Sequence, residues 1–215
     1  MRLDLRSRVE EALLPPLVAL LLALVVGDIL ILAFGQSPSA VYRLLLDGTW
    51  GNAYGFGQVL YKATTLVFTG LAFAIGVRAG LFNIGAESQL AAGGFVAALL
   101  GLILPGWLPS LIALPLFIAA AALGGGAVAA VPGYLKARFG AHEVITTIML
   151  NFVVLALLAY FVSVYLHVPE TLHTEEIKTG ALPRLAGLIA AFHGSAANAT
   201  ILLAIAAALL AWWFL

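Results

Sequence analysis

The stretch ALLPPLVALLLALVVGDILILAF at positions 12–34 decides the fold class of this chain. It carries a single charged side chain, Asp28, in a run that is otherwise almost wholly apolar. A helix needs about 20 mostly apolar residues to cross the hydrocarbon core of a bilayer. The run is too long for the apolar core of a typical signal peptide, so we interpret it as a retained transmembrane helix.

The composition of the whole chain supports the same interpretation. Its 215 residues are 63% hydrophobic and 9% charged, whereas a soluble domain carries about 25% charged residues. The formal net charge of +0 provides no field that would attract nucleic acid or an acidic partner. Because the chain has no cysteines, a disulfide framework, a thiol nucleophile and a thiolate metal site are excluded.

Five further runs have the length and composition of a membrane span. We therefore predict an all-α fold, a polytopic helical membrane protein with about six transmembrane helices that forms a single transmembrane domain over residues 1–215. The predicted spans are Ala12–Phe34, Val59–Val77, Ser88–Leu104, Leu111–Val131, Val144–Leu166 and Ala199–Leu215.

Lysines and arginines in the short connections predict the orientation of these spans. Three arginines at positions 2, 6 and 8 precede the first span, which places the N-terminus in the cytoplasm. When the spans are counted alternately, Arg78, Lys136 and Arg138 also fall inside. Two longer polar segments, residues 35–58 and 167–198, then lie outside, where a soluble partner could dock.

The connection RAGLFNIGAESQ at positions 78–89 places polar groups where the chain should enter or leave the membrane. Asn83, Glu87 and Gln89 supply hydrogen-bonding groups, and a carboxylate near hydrocarbon is usually functional or paired. One interpretation is a broken or re-entrant helix that lines a solute path. The other is a tight cytoplasmic turn, in which Glu87 helps to cap the third helix and Arg78 reaches to the interface. The sequence leaves both open.

A second polar stretch, KARFGAHEVITTIMLN at positions 136–151, contains a His-Glu pair typical of a metalloprotease. Such a site needs His-Glu-x-x-His, because residues i and i+4 share one helix face and bind one zinc ion. Thr146 stands where the second histidine would be, and the remaining histidines lie far along the chain. We therefore expect no catalytic residues and no metal site.

The same stretch predicts a connection between two spans. We expect the fourth span to end at residues 132–133 and residues 134–139 to form a short amphipathic helix at the interface. Gly140 then permits a sharp turn, and Glu143 lies in the first turn of the next helix, where a negative charge suits the helix dipole. A polar stripe continues along that helix at Thr146, Thr147 and Asn151.

Two segments, GLFNIGAESQL at positions 80–90 and LKARFGAHEVITTIMLNF at positions 135–152, resemble the signature segments of a known family. It is the bacterial ABC-importer permease family for simple sugars, nucleosides and branched-chain amino acids, and the resemblance is strongest to its nucleoside branch. Ser88 and His142 depart from the glycine and asparagine that are usual there. Such permeases normally carry a second half, so we expect this chain to be an N-terminal part of a longer permease.

The resemblance implies a set of partners. ATP-Mg would be bound and hydrolysed by a separate cytoplasmic ABC ATPase. No cofactor is expected in this chain, whose sequence contains no phosphate-binding loop motif. A second permease subunit or copy would complete the pore, and an extracytoplasmic solute-binding protein or lipoprotein would deliver substrate. The segment expected to meet the ATPase contains Lys136, Arg138, Gly140, His142 and Glu143.

These expectations define one principal function and two alternatives. The chain is expected to lie in the bacterial inner (cytoplasmic) membrane and to import nucleosides or related small sugars by alternating access, with Asn83, Glu87 and Gln89 near the substrate path. An ion-coupled secondary transporter is the first alternative, for which Glu87 is the one plausible coupling carboxylate. A purely structural membrane scaffold is the second, and it would leave Glu87 unexplained.

Overall fold

A computed structural model describes residues 5–171 and 173–214, with side chains from residue 13 onward. The regular structure of these residues is helical, apart from two isolated β-bridges. A π-helix, Val162–Leu166, continues the sixth α-helix, and two short 3-10 turns, Leu185–Gly187 and Ala190–Phe192, interrupt the loop after it. The α-helices are α1 (Leu5–Ala33), α2 (Pro38–Thr49), α3 (Ala53–Arg78), α4 (Ala86–Ile103), α5 (Ser110–Phe139), α6 (Glu143–Phe161) and α7 (Thr200–Phe214).

The described helices confirm the predicted all-α membrane fold. Five of them are long and apolar enough to cross a bilayer, namely α1, α3, α4, α5 and α6 with its π-helical extension. The sixth predicted span corresponds to α7, which is apolar but shorter. Most large hydrophobic side chains are exposed on the protein surface, as expected where lipid rather than water surrounds the helices.

The structure corrects the predicted end of the fourth span. α5 does not stop at Pro132 but continues to Phe139, so residues 134–139 are its last turns and not a separate interfacial helix. Proline is tolerated inside membrane helices because neighbouring groups can satisfy the backbone carbonyl that it leaves without a partner. Pro132 is itself buried, and Pro115 lies within the same helix. The predicted outer segment 35–58 also contains a helix, α2, that the pattern of apolar runs does not predict.

The chain divides by its contacts into two compact units, Met1–Phe56 and Gly57–Leu215. In the first, the Tyr42 hydroxyl of α2 donates a hydrogen bond of 2.7 Å to the Asp28 carboxylate of α1. The second contains α4, α5 and α6, which pack on one another. The prediction of a single domain over residues 1–215 stays a prediction.

Small residues let α4 and α5 approach closely within the second unit. A Cβ atom added at Gly93 would lie 2.8 Å from the Ala121 carbonyl oxygen, and one at Gly124 would lie 2.8 Å from that of Ala92. These glycines therefore pack backbone against backbone, as small residues do between membrane helices. Gly94 and Gly126, by contrast, face open space.

Candidate functional site

The two signature segments meet in the second unit. α3 ends at Arg78, residues 79–85 are non-helical, and α4 begins at Ala86. We call this connection, together with the end of α5 and the start of α6, the polar joint (residues 79–89 and 136–151). Gly80 has a φ of +73°, a left-handed conformation that glycine adopts without steric cost.

Side chains of α6 hydrogen-bond the main chain of the connection. The Thr147 hydroxyl accepts a bond of 3.3 Å from the Ile84 amide. The Asn151 carboxamide oxygen accepts one of 3.1 Å from the Ser88 amide, and its nitrogen donates one of 3.1 Å to the Ile84 carbonyl. The first turn of a helix has amides without helical partners, and Gly85 before α4 has no side chain to cap them. Asn151 therefore caps α4 from a neighbouring helix.

Asn83 and Gln89 hydrogen-bond each other across the α3–α4 connection. Their carboxamides exchange two hydrogen bonds of 2.9 and 3.1 Å. The Asn83 oxygen also accepts a bond of 2.8 Å from the Gly85 amide. Glu87, by contrast, is exposed in the first turn of α4. The structure thus separates the three predicted pathway residues into a mutually bonded pair and one exposed carboxylate.

Lys136 joins the end of α5 to both other parts of the joint. Its ammonium group donates 2.8 Å hydrogen bonds to the Gly80 carbonyl and to the Glu143 carboxylate. The same carboxylate lies 3.5 Å from the Phe82 amide. The two charged side chains are 34% and 19% exposed, so water screens their attraction only in part. One cation therefore connects α5, α6 and the α3–α4 connection.

Gly140 makes the turn between α5 and α6. Its φ of +67° lies in the left-handed region, and its amide donates a 3.0 Å hydrogen bond to the Lys136 carbonyl. Glycine commonly ends helices in this way because a side chain would be strained there. α6 then begins at Glu143. The predicted sharp turn and the predicted start of the helix are both confirmed.

The other predicted side chains of this region, those of Arg138, His142 and Thr146, form no hydrogen bond with the connection among the described residues. Arg138 and His142 are exposed, and the Arg138 guanidinium lies 6.0 Å from the centre of the Phe139 ring. The Thr146 hydroxyl donates to carbonyls of its own helix. The face of α6 that meets the connection therefore carries Glu143, Thr147 and Asn151. These three residues are spaced four apart, which places them on one helix face, and Thr146 does not fit this spacing. The spacing is therefore the sequence signal that excludes Thr146 from the predicted polar stripe.

A cavity of about 110 Å³ lies inside the joint. Asn83, Glu143 and Thr147 provide its polar lining, and Pro132 and Gly133 of α5 lie on its apolar side. At about 30 Å³ per molecule, it has room for a few waters. Among the described residues, no three His, Cys, Asp or Glu side chains are grouped to hold a metal ion. The cavity can therefore hold water between the helices.

Comparison with known proteins gives the family context of this joint. Residues 55–215 match the family described as branched-chain amino acid transport system, permease component. The guanosine ABC transporter permease protein NupP of Bacillus subtilis (strain 168) is 36% identical over 208 residues, which cover 94% of this chain and 58% of that protein. No solved structure matches.

Two further relatives extend the comparison. The nucleoside ABC transporter permease protein NupB of Lactococcus lactis subsp. cremoris is 37% identical over 142 residues, or 66% of this chain and 39% of that protein. The glucose ABC transporter permease protein TsgB13 of Haloferax volcanii is 32% identical over 179 residues, which cover 81% of this chain and 46% of that protein. The chain thus spans about half the length of the curated relatives that it matches. With its apolar helices and the family match over most of its length, the chain is a multi-pass membrane protein that belongs to the family of branched-chain amino acid transport system permease components.

Proposed function

We propose that this chain is the membrane-spanning permease part of an ATP-driven importer that moves nucleosides or related small sugars into the cytoplasm. Relatives named for guanosine, nucleosides and glucose support this solute class. The permease would lie in the bacterial cytoplasmic membrane with its N-terminus inside, in accord with the positive-inside distribution. It would act as a transporter subunit without an ATPase site of its own.

The proposed assembly contains three protein partners. A cytoplasmic ABC ATPase binds and hydrolyses ATP-Mg, a second permease subunit or copy completes the pore, and an extracytoplasmic solute-binding protein supplies the solute. Arg138 and His142 are exposed beside the α5–α6 turn, so their side chains are free to meet the ATPase. Gly140 provides the turn that presents them.

The polar joint is the observation that carries the mechanism. Lys136 bonds both Glu143 and the Gly80 carbonyl, while Thr147 and Asn151 hold the next residues of the connection. A displacement of the α5–α6 turn would therefore move the start of α4 with it. Packed elements that move as rigid bodies can convert a nucleotide-dependent contact into alternating access.

The same joint relates the movement to the solute path. Gln89 and Glu87 lie in the first turn of α4, so both would shift when that helix shifts. In the proposed path, the exposed Glu87 contacts water or solute, and the Asn83–Gln89 pair supports the backbone beside it. An ion-coupled secondary transporter would instead need Glu87 to bind the coupling ion, and no feature of the described residues favours that mechanism.

Uptake measurements test the function. The full-length permease is expressed with its ATPase and binding protein in cells that lack nucleoside uptake, and entry of radiolabelled adenosine, guanosine and glucose is followed. We expect nucleoside uptake that stops when the catalytic glutamate of the ATPase is replaced. Uptake that survives this replacement but collapses with a protonophore would contradict the proposal and support the secondary transporter.

Two permease variants test the coupling role. Gly140→Ala and Glu143→Gln should each reduce ATP-driven uptake several-fold at equal amounts of membrane-inserted protein. Gly126→Ala is the matched control, because an added Cβ atom meets nothing within 4 Å there and Gly126 lies within α5 but not on the cavity of the joint. Uptake as fast in both variants as in the control would refute the assignment of this turn to coupling.

A further inference from the structure

A polar cleft of about 650 Å³ lies in the second unit, away from the polar joint. Its wall includes Tyr61 of α3, which precedes Arg78 by 17 residues, or about 25 Å along the helix axis. The loop before α7 forms the rest of the wall. The cleft therefore opens on the side that the positive-inside distribution assigns to the outside. Its volume is within the range of about 300–1,000 Å³ that is typical of small-molecule sites.

The loop that lines the cleft is tied to itself by main-chain hydrogen bonds. The Leu185 amide donates a hydrogen bond of 2.9 Å to the Ala197 carbonyl, and the Ala199 amide donates one of 3.1 Å to the Pro183 carbonyl. Asn198 lies between these two bonds, and its carboxamide oxygen accepts a hydrogen bond of 2.9 Å from the amide of Thr200, the first residue of α7. Its nitrogen has no partner among the described residues and stays available to a ligand.

The loop is also seated on α3. Ser195 is 2% exposed, and a Cβ atom added at Gly57 would lie 2.6 Å from its hydroxyl oxygen. The Ser195 side chain can come this close to α3 only because residue 57 is glycine. Gly57 is one helical turn before Tyr61, so the contact fixes the loop relative to the aromatic ring. The cleft is thus preformed, which lowers the entropic cost of binding.

The groups on the cleft wall suit a nucleoside. Arg184 is exposed, and no described carboxylate pairs with it or lines the cleft. A guanidinium binds two acceptors at once, as on the O6 and N7 edge of a purine. Tyr61 is 46% exposed, and aromatic rings can stack on any nucleobase. Asn198 can hydrogen-bond ribose hydroxyls.

We propose that this cleft is an outer binding site for a nucleoside on its way into the permease, with Arg184, Tyr61 and Asn198 as contact residues. The inference rests on the proposed function, since it assumes that nucleosides are the solute. It adds a site near the outer surface, distant from the Asn83–Glu87 region. Recognition depends on the base, so a free hexose or ribose should bind the cleft far more weakly.

Residues 1–215 contain no cysteine. Any cysteine elsewhere in the full-length permease is first replaced by serine, so that single introduced cysteines report on the cleft without background from this subunit. Ala196→Cys places a thiol on the cleft wall. Ala191→Cys is the matched control, exposed on the same loop but outside the cleft. The permease–ATPase complex, without the binding protein, is placed in right-side-out membrane vesicles. It is labelled with a membrane-impermeant maleimide, with and without guanosine, adenosine, ribose or glucose.

We expect a purine nucleoside at several times its dissociation constant to slow labelling at position 196 by about fivefold or more, because the occupied cleft shields the thiol. Labelling at position 191 should not change, and Arg184→Gln should abolish the protection. No protection, protection by the sugars to the same degree, or no labelling at position 196 would each overturn the inference. ATP-driven nucleoside uptake is measured in parallel with the unsubstituted complex, ATP inside the vesicles and the binding protein added outside. If that uptake is absent, it is the proposed function that fails.

Discussion

Replacing Asn151 by alanine removes two hydrogen bonds between α6 and the α3–α4 connection. The lost bonds are those to the Ser88 amide and to the Ile84 carbonyl, each 3.1 Å long. Asn151 is half-buried, so water can replace it only in part. The replacement leaves one amide of the first turn of α4 and one carbonyl of the connection without their partners.

The size of the effect follows from hydrogen bonds measured between membrane helices. These contribute about 0.6 kcal/mol on average and up to about 1.7 kcal/mol each. For two bonds, Asn151→Ala should lower the free energy of unfolding by about 1–3 kcal/mol. That corresponds to about a 5- to 150-fold change in the unfolding equilibrium constant. Because α4 loses its cap, ATP-driven uptake should fall as well.

The assay is unfolding of the full-length permease by SDS in mixed micelles, followed by tryptophan fluorescence. Thr146→Val serves as the control, because the Thr146 hydroxyl bonds only to carbonyls of its own helix. That variant should unfold within about 0.5 kcal/mol of the unsubstituted protein. If Asn151→Ala and Thr146→Val unfold alike, the capping role of Asn151 is wrong.

Three further predictions concern the joint and the packing beside it. Lys136→Glu and Glu143→Lys should each reduce uptake several-fold, because each places like charges together. The double variant with both exchanges should recover part of the lost uptake, and an equal loss in all three variants would argue against the ion pair. Gly140→Ala should cost about 1–2 kcal/mol of stability in the same SDS assay because its φ is +67°, whereas Gly133→Ala should be neutral or stabilising by up to about 1 kcal/mol. Gly93→Ala should lower stability and weaken the contact of α4 with α5, because its Cβ atom would lie 2.8 Å from a carbonyl oxygen of α5; unchanged resistance to SDS would contradict that close packing.

Much of the helix plan could be predicted because lipid imposes a simple requirement of length and apolarity. Runs such as residues 59–77 and 144–166 satisfy it, and each lies within an observed helical segment. The failures occur where that requirement does not apply. α2 is too short to span a bilayer, and Pro132 ends no helix because its effect depends on the groups packed around it.

Only part of the polar joint could be predicted from the sequence, namely the features that depend on residues close together in the chain. Gly140 and Glu143 have local roles, a turn and a helix start, which their own neighbours in the chain determine. The role of Asn151 is not local, because its partners at Ile84 and Ser88 are more than 60 residues away. A polar stripe on a helix predicts that something polar lies opposite it, but does not identify that partner.

The sequence by itself determined that lipid surrounds most of the chain, that the fold is all-α and roughly where the spans lie. These properties depend on composition and on continuous runs of apolar residues. The two signature segments also identified the family before any contact was known. Only the tertiary structure decided that Lys136 bonds the carbonyl of Gly80, and that a loop near the C-terminal end of the chain rests on Gly57. The reason is physical. Burial in lipid depends on each run alone, whereas a hydrogen bond or a close contact requires two distant segments to be within a few ångströms of each other.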